Sequence, residues 1–328
     1  MKIAQIGVGY WGPNLLRNLV SNKRCTVSRV VDLSEERRDY VRGLYPAVNV
    51  SDRVDDVISD PSIDAVVIAT PVATHFDIAM KALEAGKHIF VEKPMARSVR
   101  EVEEIGRLAS KKNKVAMVGH TFLFNNAVRY VKKMIDAGDL GDIRYIYSQR
   151  LNLGRIRSDV DALWNFAPHD VSIIQYWLGD PVPQSVVRRG VGYIQEQVDD
   201  VVFVNIIYPN KVMANIHVSW LDPNKVRSIV VVGSKKMIVY DDISENKITI
   251  YDKGIDKKAV LGQNMDYDGN ALPVFNHRSG DVLMPKIDFK EPLKVEVDHF
   301  LDCMEKGIPC ITGIDHAKKV VQILEGAS

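Results

Sequence analysis

Cysteine is scarce in this sequence. Cys25, Cys303 and Cys310 are the only three, and none forms a Cys-x-x-Cys pair. Neither a disulfide scaffold nor a cysteine-built zinc site is expected. An excess of one charge is also missing: 43 Lys and Arg stand against 42 Asp and Glu, a net +1. A protein that holds nucleic acid by counterion release carries a basic excess or stripe, so no nucleic-acid partner is expected. Long hydrophobic runs are absent. The apolar stretches are of strand length, well under the ~20 residues of a membrane-spanning helix. The first residues pass directly into Ile3-Ala4-Gln5-Ile6-Gly7, without the apolar segment of a secretory signal. Internal repeats and low-complexity tracts are missing too. These absences lead to the expectation of a soluble, cytoplasmic protein with reduced thiols.

The chain has 328 residues, 46% hydrophobic and 26% charged, which is enough apolar material for two cores. The first 120 residues alternate strand and helix. Nearly continuous apolar runs at Lys2–Ile6, Val27–Asp32, Ala65–Ala69, His88–Val91 and Val115–Val118 predict strands buried on both faces of a parallel sheet. Helical periodicity separates them. Leu15, Leu16, Leu19 and Val20 mark one helix. Phe76 to Leu83 mark a second, stopped by Gly86, and Val99 to Ala109 a third, capped by Ser98. This is the pattern of a doubly wound α/β sheet. After a helix near Asn125–Ala137 the period changes to two. Runs at Ile143–Leu151, Ser185–Tyr193, Val201–Tyr208, Val212–Trp220, Ile229–Val232, Lys236–Tyr240 and Lys247–Tyr251 predict a large, mostly antiparallel open sheet. One helix, about Ala167–Leu178, interrupts them. Asp252–Lys290 shows little periodicity and is expected to be a long loop. Helices near Leu293–Lys306 and Asp315–Glu325 follow. The expected division is a dinucleotide-binding domain over 1–122 and a second α+β domain over 123–328.

Gly7-Val8-Gly9-Tyr10-Trp11-Gly12 fits G-x-G-x-x-G between a strand and a helix. Gly7 permits the tight turn, Gly9 lets the backbone approach a pyrophosphate, and Gly12 lets helix and strand pack closely. The helix N-terminus supplies N–H groups and positive dipole to the anion. Asp32 stands 20 residues beyond Gly12, at the end of the second strand, where a carboxylate binds ribose hydroxyls. A carboxylate there repels a 2′-phosphate, so NAD is expected rather than NADP. Arg37 and Arg38, further on, are expected on a solvated face. The fifth strand ends in Val91-Glu92-Lys93-Pro94, which aims Lys93 at the crevice outside the strand ends. Pro94 restricts the residue before it. Beside a cationic nicotinamide the ammonium form of Lys93 is disfavoured, which suits it to act as acid, base or alkoxide stabiliser.

GVGYWG, VVD, ATPVATH and AGKHIFVEKP resemble the glucose–fructose oxidoreductase / inositol dehydrogenase (Gfo/Idh/MocA) family. So do GHTFLFN at Gly119–Asn125, APHDVSIIQYWLG at Ala167–Gly179, Glu296-x-x-His299-Phe300 and Gly313. The resemblance covers almost the whole chain. It implies an N-terminal Rossmann domain, a second domain whose sheet makes a homodimer or homotetramer, and oxidation or reduction of a sugar or cyclitol. It also implies cofactor contacts from Tyr10, Trp11, Thr70, Pro71, His75, Glu92 and Lys93, and a functional role for His169. Two positions depart from the family. Asn165 stands where an Asp is common, and amide chemistry cannot act as a base. Leu123 replaces the Arg of an Arg-Phe motif.

Several histidines are candidates. His169, between Pro168 and Asp170 at an expected helix start, has the intrinsic pKa for proton transfer at neutral pH. Asp170 reads as a first-turn acid favoured by the helix dipole. His120, at the end of the sixth strand, is a candidate for substrate contact. His217 and His299 read as structural. With no metal-spaced pair among them, no metal is expected. Arg155 and Arg157, in the loop Asn152–Asp159, have the forked geometry that grips a diphosphate or carboxylate, or they are simply solvated. This loop and WNFAPHD resemble members that act on nucleotide-activated sugars such as UDP-N-acetylglucosamine. The expected activity is NAD-dependent oxidation of a sugar's secondary hydroxyl, at carbon 3. His169 takes the proton, Lys93 steadies the oxygen and Asn165 orients them. Alternatives are a dehydrogenase of a free sugar or cyclitol, a ketosugar reductase, and a non-catalytic NAD-binding sensor. Tyr145, Tyr147 and Trp220 are expected on the outer, oligomerising face of the second sheet.

Overall fold

A computed structural model describes residues 1–154, 156–258 and 274–327. The chain divides into two compact units, each discontinuous in sequence. One comprises Met1–Asn125, Trp164–Asp180 and Phe289–Ser328, and the other Asn126–Leu163 and Pro181–Asp288.

The first unit opens with β1 (Lys2–Ile6), α1 (Gly12–Ser21), β2 (Thr26–Val31), α2 (Glu35–Leu44), β3 (Asn49–Ser51) and the short α3 (Asp55–Ile58). It continues with β4 (Ala65–Ile68), α4 (His75–Glu84), β5 (His88–Glu92), α5 (Val99–Lys112) and β6 (Ala116–Gly119). The six strands are parallel, in the order β3-β2-β1-β4-β5-β6. The order reverses direction at β1, and ligands of doubly wound sheets bind beyond the strand ends at that point. The expected strands are all present. β3 was not anticipated, because three half-exposed residues leave no periodic signal. The helix stops act as read: Gly86 follows α4 at φ +75°, and the Ser98 side chain accepts the Glu101 N–H at the start of α5.

The second unit carries α6 (Asn126–Asp136), β7 (Ile143–Leu153), and, after α7 (Ala162–Leu178), β8 (Ser185–Val191), β9 (Val201–Ile207) and β10 (Met213–Ser219). Then come β11 (Leu221–Gly233), β12 (Met237–Asp241), β13 (Ile248–Lys258) and β14 (Val274–Leu283). The eight-stranded order is β14-β13-β12-β11-β7-β10-β9-β8. Only β7 and β10 pair in parallel among its described neighbours. Burial alternates along the strands. Val202, Val204 and Ile206 face inward in β9, with Ala214, Ile216 and Val218 in β10. Tyr145, Tyr147, Phe203, Ile207 and Met213 are exposed on the other face. Trp220 is 0% exposed, a correction to its expected outward position: it lies just past the end of β10, where the alternation stops. The expected loop over 252–290 is also corrected. Residues 252–258 and 274–283 form the rest of β13 and β14, while residues 284–290 are irregular as expected. From residue 276 on, β14 is exposed almost throughout, so it lacks the buried alternate positions that reveal a strand in sequence. Residues 259–273 lie outside the described residues.

α8 (Pro292–Lys306) and α9 (Ile314–Gly326) belong to the first unit. Ala317 and Val321 of α9 share its core with Val102 and Ile105 of α5 and Val118 of β6. No helix among the described residues is long and apolar enough to cross a membrane.

Candidate functional site

The turn after β1 separates its three glycines by role. Gly7 has φ +95°, and a Cβ there would lie 2.5 Å from the Ala69 carbonyl oxygen. A Cβ on Gly12 would lie 2.6 Å from the Gly7 carbonyl oxygen. Gly9 has nothing within 4 Å of its Cβ position; its missing side chain leaves room for a ligand rather than for the protein. The N-cap of α1, Trp11, makes no side-chain capping bond, and the first turn holds no acid. Pro13 has no N–H and the Asn14 N–H is donated to the Trp11 carbonyl at 3.0 Å, so an anion would draw on the Gly12 N–H and the helix dipole. Gln5, buried in β1, donates from Nε2 to the carbonyls of Gly7 and Gly12, both at 2.9 Å. It holds the loop from beneath. Gln5 was not singled out in the sequence, although a polar residue at the centre of an apolar strand was the available signal.

Asp32 is oriented by two backbone donors. The Val8 N–H reaches Oδ2 at 2.7 Å and the Ser34 N–H reaches Oδ1 at 2.9 Å. A carboxylate has further lone pairs for ribose hydroxyls. Arg38 is not on a solvated face, which corrects that expectation. It is buried, and donates to the carbonyls of Asp32 and Leu33 at 2.7 and 3.0 Å. Pinned beneath the acid, it supports the Asp32 corner. Arg37 is exposed. Tyr10 stands out from the loop, and Trp11 is partly exposed beside it.

The loops after β4 and β5 are tied together by His75. Its ring nitrogens lie 2.8 Å from the Thr70 carbonyl and 2.9 Å from the Pro94 carbonyl. His75 is buried, and that burial lowers its pKa. It therefore fixes the Thr70-Pro71 turn against the Lys93-Pro94 turn. The Lys93–Pro94 peptide is cis. Glu92 is buried, accepts the Lys93 N–H on Oε2 at 3.2 Å, and is pushed up to about 7, chiefly by burial. Glu296 of α8, 0% exposed, accepts the Thr121 hydroxyl at 2.6 Å. Burial and then the Glu92 charge hold it well above the usual carboxylate range. The pair is not expected to ionise fully near neutrality. A Cβ on Gly119 would come within 3.1 Å of Glu92 Oε1, which explains glycine at that strand end.

α7 begins at Ala162, five residues before the expected start, and Pro168 is inside it. His169 and Asp170 are therefore not in the first turn, which corrects that expectation. Proline is favoured at helix starts, which is why the sequence suggested one there. In mid-helix proline gives no N–H to the carbonyl four residues back. The turn before Pro168 presents the Asn165 carbonyl to Lys93, whose Nζ donates at 2.9 Å. Asn165 is one helical turn before His169, so the lysine and the histidine are brought to the same stretch of α7. The Phe122 ring meets the His169 ring edge-on at 5.0 Å. α7 is braced from α9. Ser172 Oγ lies 2.9 Å from His316 Nε2, and His316 Nδ1 lies 3.0 Å from Asp180 Oδ1. The serine is 1% exposed, so this chain is a structural strut and not a nucleophile.

Other candidates are placed differently. His120 is 2% exposed. Burial, His316 and Lys93 together hold its pKa well down, which makes it a neutral core ring. Arg157 pairs with Asp159 through Nε and NH2, at 2.9 and 2.5 Å, so its fork already has a partner. Arg155 lies outside the described residues. His299, Cys303 and Cys310, taken as unrelated in the sequence, come together, with donor atoms within 4.8 Å of one another. His299 and Cys303 are four residues apart on one face of α8, a spacing that a search for Cys-x-x-Cys and His pairs does not register.

A switch-point glycine loop, a fixed acid after β2 and a lysine at the end of β5 define a dinucleotide-binding protein of the doubly wound class. The comparisons agree. The description "Oxidoreductase family, NAD-binding Rossmann fold" matches residues 1–120, and the GFO/IDH/MocA C-terminal domain matches residues 128–239. The chain belongs to the Gfo/Idh/MocA oxidoreductase family. It is 27% identical over 329 residues to scyllo-inositol 2-dehydrogenase (NAD(+)) of Bacillus subtilis (strain 168), covering 96% of this chain and 90% of that one. It is 30% identical over 196 residues to 4-carboxy-2-hydroxymuconate-6-semialdehyde dehydrogenase of a Sphingobium species, covering 57% of this chain. The chain spans 60% and 62% of the length of two of the curated relatives it matches. A solved UDP-N-acetylglucosamine 3-dehydrogenase from Acidithiobacillus ferrooxidans superimposes with a TM-score of 0.81 at 23% identity, over 100% of this chain and 96% of that one.

Proposed function

We propose that this chain is an NAD-dependent dehydrogenase of a secondary hydroxyl on a sugar. The observation that carries the proposal is the bond from Lys93 Nζ to the Asn165 carbonyl. It sets an ammonium donor one helical turn from His169, in the same unit as the glycine loop. The residues fit NAD: Gly9 leaves a pyrophosphate its space, α1 offers an uncapped N-terminus, and Asp32 is held for the ribose. When bound, NAD supplies the hydride acceptor.

The chain's own groups handle the proton and the oxygen. His169 Nδ1 is buried, so Nε2 takes the hydroxyl proton. Lys93 turns from the Asn165 carbonyl to hydrogen-bond the same oxygen and stabilises the developing alkoxide. The Asn165 side chain orients the sugar, since an amide cannot take the proton. The preferred substrate is a nucleotide-activated sugar such as UDP-N-acetylglucosamine, oxidised at carbon 3, with Arg155 and Arg157 binding its diphosphate. A free sugar or cyclitol is the second reading, favoured by the Arg157–Asp159 pair, which a diphosphate would have to displace. The apolar outer face of the eight-stranded sheet, with Tyr145, Tyr147 and Phe203 exposed, supports a homodimer or homotetramer through that face.

Lys93→Ala and His169→Ala are each expected to lower turnover by about 10²–10⁴, with NAD affinity within a few-fold of wild type. Near-full activity of either variant would remove that residue from the mechanism. Steady-state constants for UDP-N-acetylglucosamine and N-acetylglucosamine separate the two substrate readings. Equal turnover of both would end the diphosphate assignment.

A further inference from the structure

Among the described residues, one group of thiol and imidazole donors stands apart from the proposed dehydrogenase site. His299 and Cys303 share a face of α8, and Cys310 lies in the segment that leads to α9. α8 ends at Gly307 with φ +65°, and the chain turns back. A turn bond from the Gly313 N–H to the Cys310 carbonyl at 3.2 Å fixes Cys310 there. Cys303 is buried, and the other two are half-buried.

The donor set decides what it can hold. Two sulfurs and one imidazole nitrogen, with no carboxylate, select a thiophilic ion over magnesium or calcium. Zinc bonds sulfur at ~2.3 Å and nitrogen at ~2.0–2.1 Å, so tetrahedral donors lie roughly 3.5–3.8 Å apart. His299 Nε2 and Cys303 Sγ are already 3.5 Å apart, and all three donor atoms lie within 4.8 Å of one another. A closure of about 1 Å completes the geometry. His299 Nε2 now accepts the Ile311 N–H at 3.0 Å. Ile311 is exposed, so its N–H can pass to water when the ring turns its lone pair to an ion.

We propose that His299, Cys303 and Cys310 bind one zinc ion, with water in the fourth position. Each thiol gives its proton to solvent, so two protons leave per ion bound and no redox change occurs. The ion fastens the segment after Gly307 to the α8 helix that carries Glu296. This site is independent of the substrate reading.

The test uses untagged, fully reduced, metal-free full-length protein, titrated with Zn2+ against a chromophoric chelator, and separately with Co2+. One equivalent of Zn2+ is expected, with release of two protons. Co2+ is expected to give thiolate charge-transfer and tetrahedral d–d absorption. Cys310→Ser, at a half-buried loop position, should lose more than the roughly 10–100-fold that removal of an outer-shell partner costs. Cys25→Ala, which alters the remaining cysteine, should bind as wild type. Absence of stoichiometric binding, octahedral Co2+ spectra, or undiminished affinity in Cys310→Ser would each overturn the proposal. So would reduced protein that takes up no zinc but joins Cys303 to Cys310 as a disulfide in air. The Co2+ spectrum of wild type is decisive even if a variant fails to fold.

Discussion

Substituting alanine at Gly7 and at Gly9 should have opposite effects on the cofactor-free protein. At Gly7 the φ of +95° costs an L-residue about 1–2 kcal/mol. The added Cβ also meets the Ala69 carbonyl oxygen at 2.5 Å. That atom is backbone in a parallel sheet and cannot swing aside, so overpacking adds about 1–3 kcal/mol. At about 2–4 °C per kcal/mol, Gly7→Ala should lower Tm by roughly 4–20 °C. Gly9 has an empty Cβ position and no left-handed φ. Gly9→Ala should leave Tm unchanged or raise it slightly, because alanine restricts the unfolded chain by about 0.4–1 kcal/mol. Its cost appears only with cofactor. Losing a charge-assisted bond to the pyrophosphate is worth about 1.5–3 kcal/mol, or roughly 10- to 200-fold in the NAD dissociation constant. Calorimetric melting without NAD and calorimetric titration with NAD measure the two effects. A Gly9→Ala protein that melts as low as Gly7→Ala, or binds NAD as wild type, would refute the assignment of the space at Gly9 to the cofactor.

NAD should bind more tightly than NADP, because Asp32 would face the 2′-phosphate. Asp32→Ala should narrow the gap, and a wild-type preference for NADP in fluorescence titration would contradict this. Burial raises the Glu92 pKa in the folded state to about 7, above the ordinary carboxylate range of the unfolded chain. Its contribution is therefore complete below the unfolded pKa and drains as pH rises through about 7. Melting scans should show wild type losing stability relative to Glu92→Gln as pH rises, and parallel profiles would refute the argument. Light scattering at micromolar concentration should show a species larger than 36.8 kDa; a monomer alone would contradict association through the Tyr145–Tyr147 face.

Where a residue's place in the fold depends on neighbours close in sequence, the sequence located it. The glycine loop, Asp32, the Ser98 cap and the Gly86 stop are all of this kind, because strand, turn and helix start are consecutive. The parallel strands were legible because burial on both faces leaves continuous apolar runs such as Ala65–Ile68. The exposed β14 left no such trace. Local rules misled where a residue is held by something distant. Pro168 suggested a helix start, yet the turn before it is engaged by Lys93, 72 positions away. Arg38 is a different case: its partners, the Leu33 and Asp32 carbonyls, are only five and six positions back, but the turn between β2 and α2 that brings them under its guanidinium leaves no periodic trace. The approach of Cys310 to His299 and Cys303 depends on a reversal at Gly307 and on packing of the following segment. Spacing along the chain encodes neither.

The membership of α9 in the first unit bears on the order in which this chain can fold as it is synthesised. β6 ends at Gly119, so all six strands of the parallel sheet have left the ribosome when only about a third of the chain exists. The apolar surface of α5 and β6 that receives Ala317 and Val321 is still bare at that stage. α9 begins at Ile314. At ~5–20 residues per second, its arrival lags by about 10–40 s. During that interval the nascent first unit exposes hydrophobic area to any chain nearby, and a protein cut at residue 122 would keep it exposed permanently.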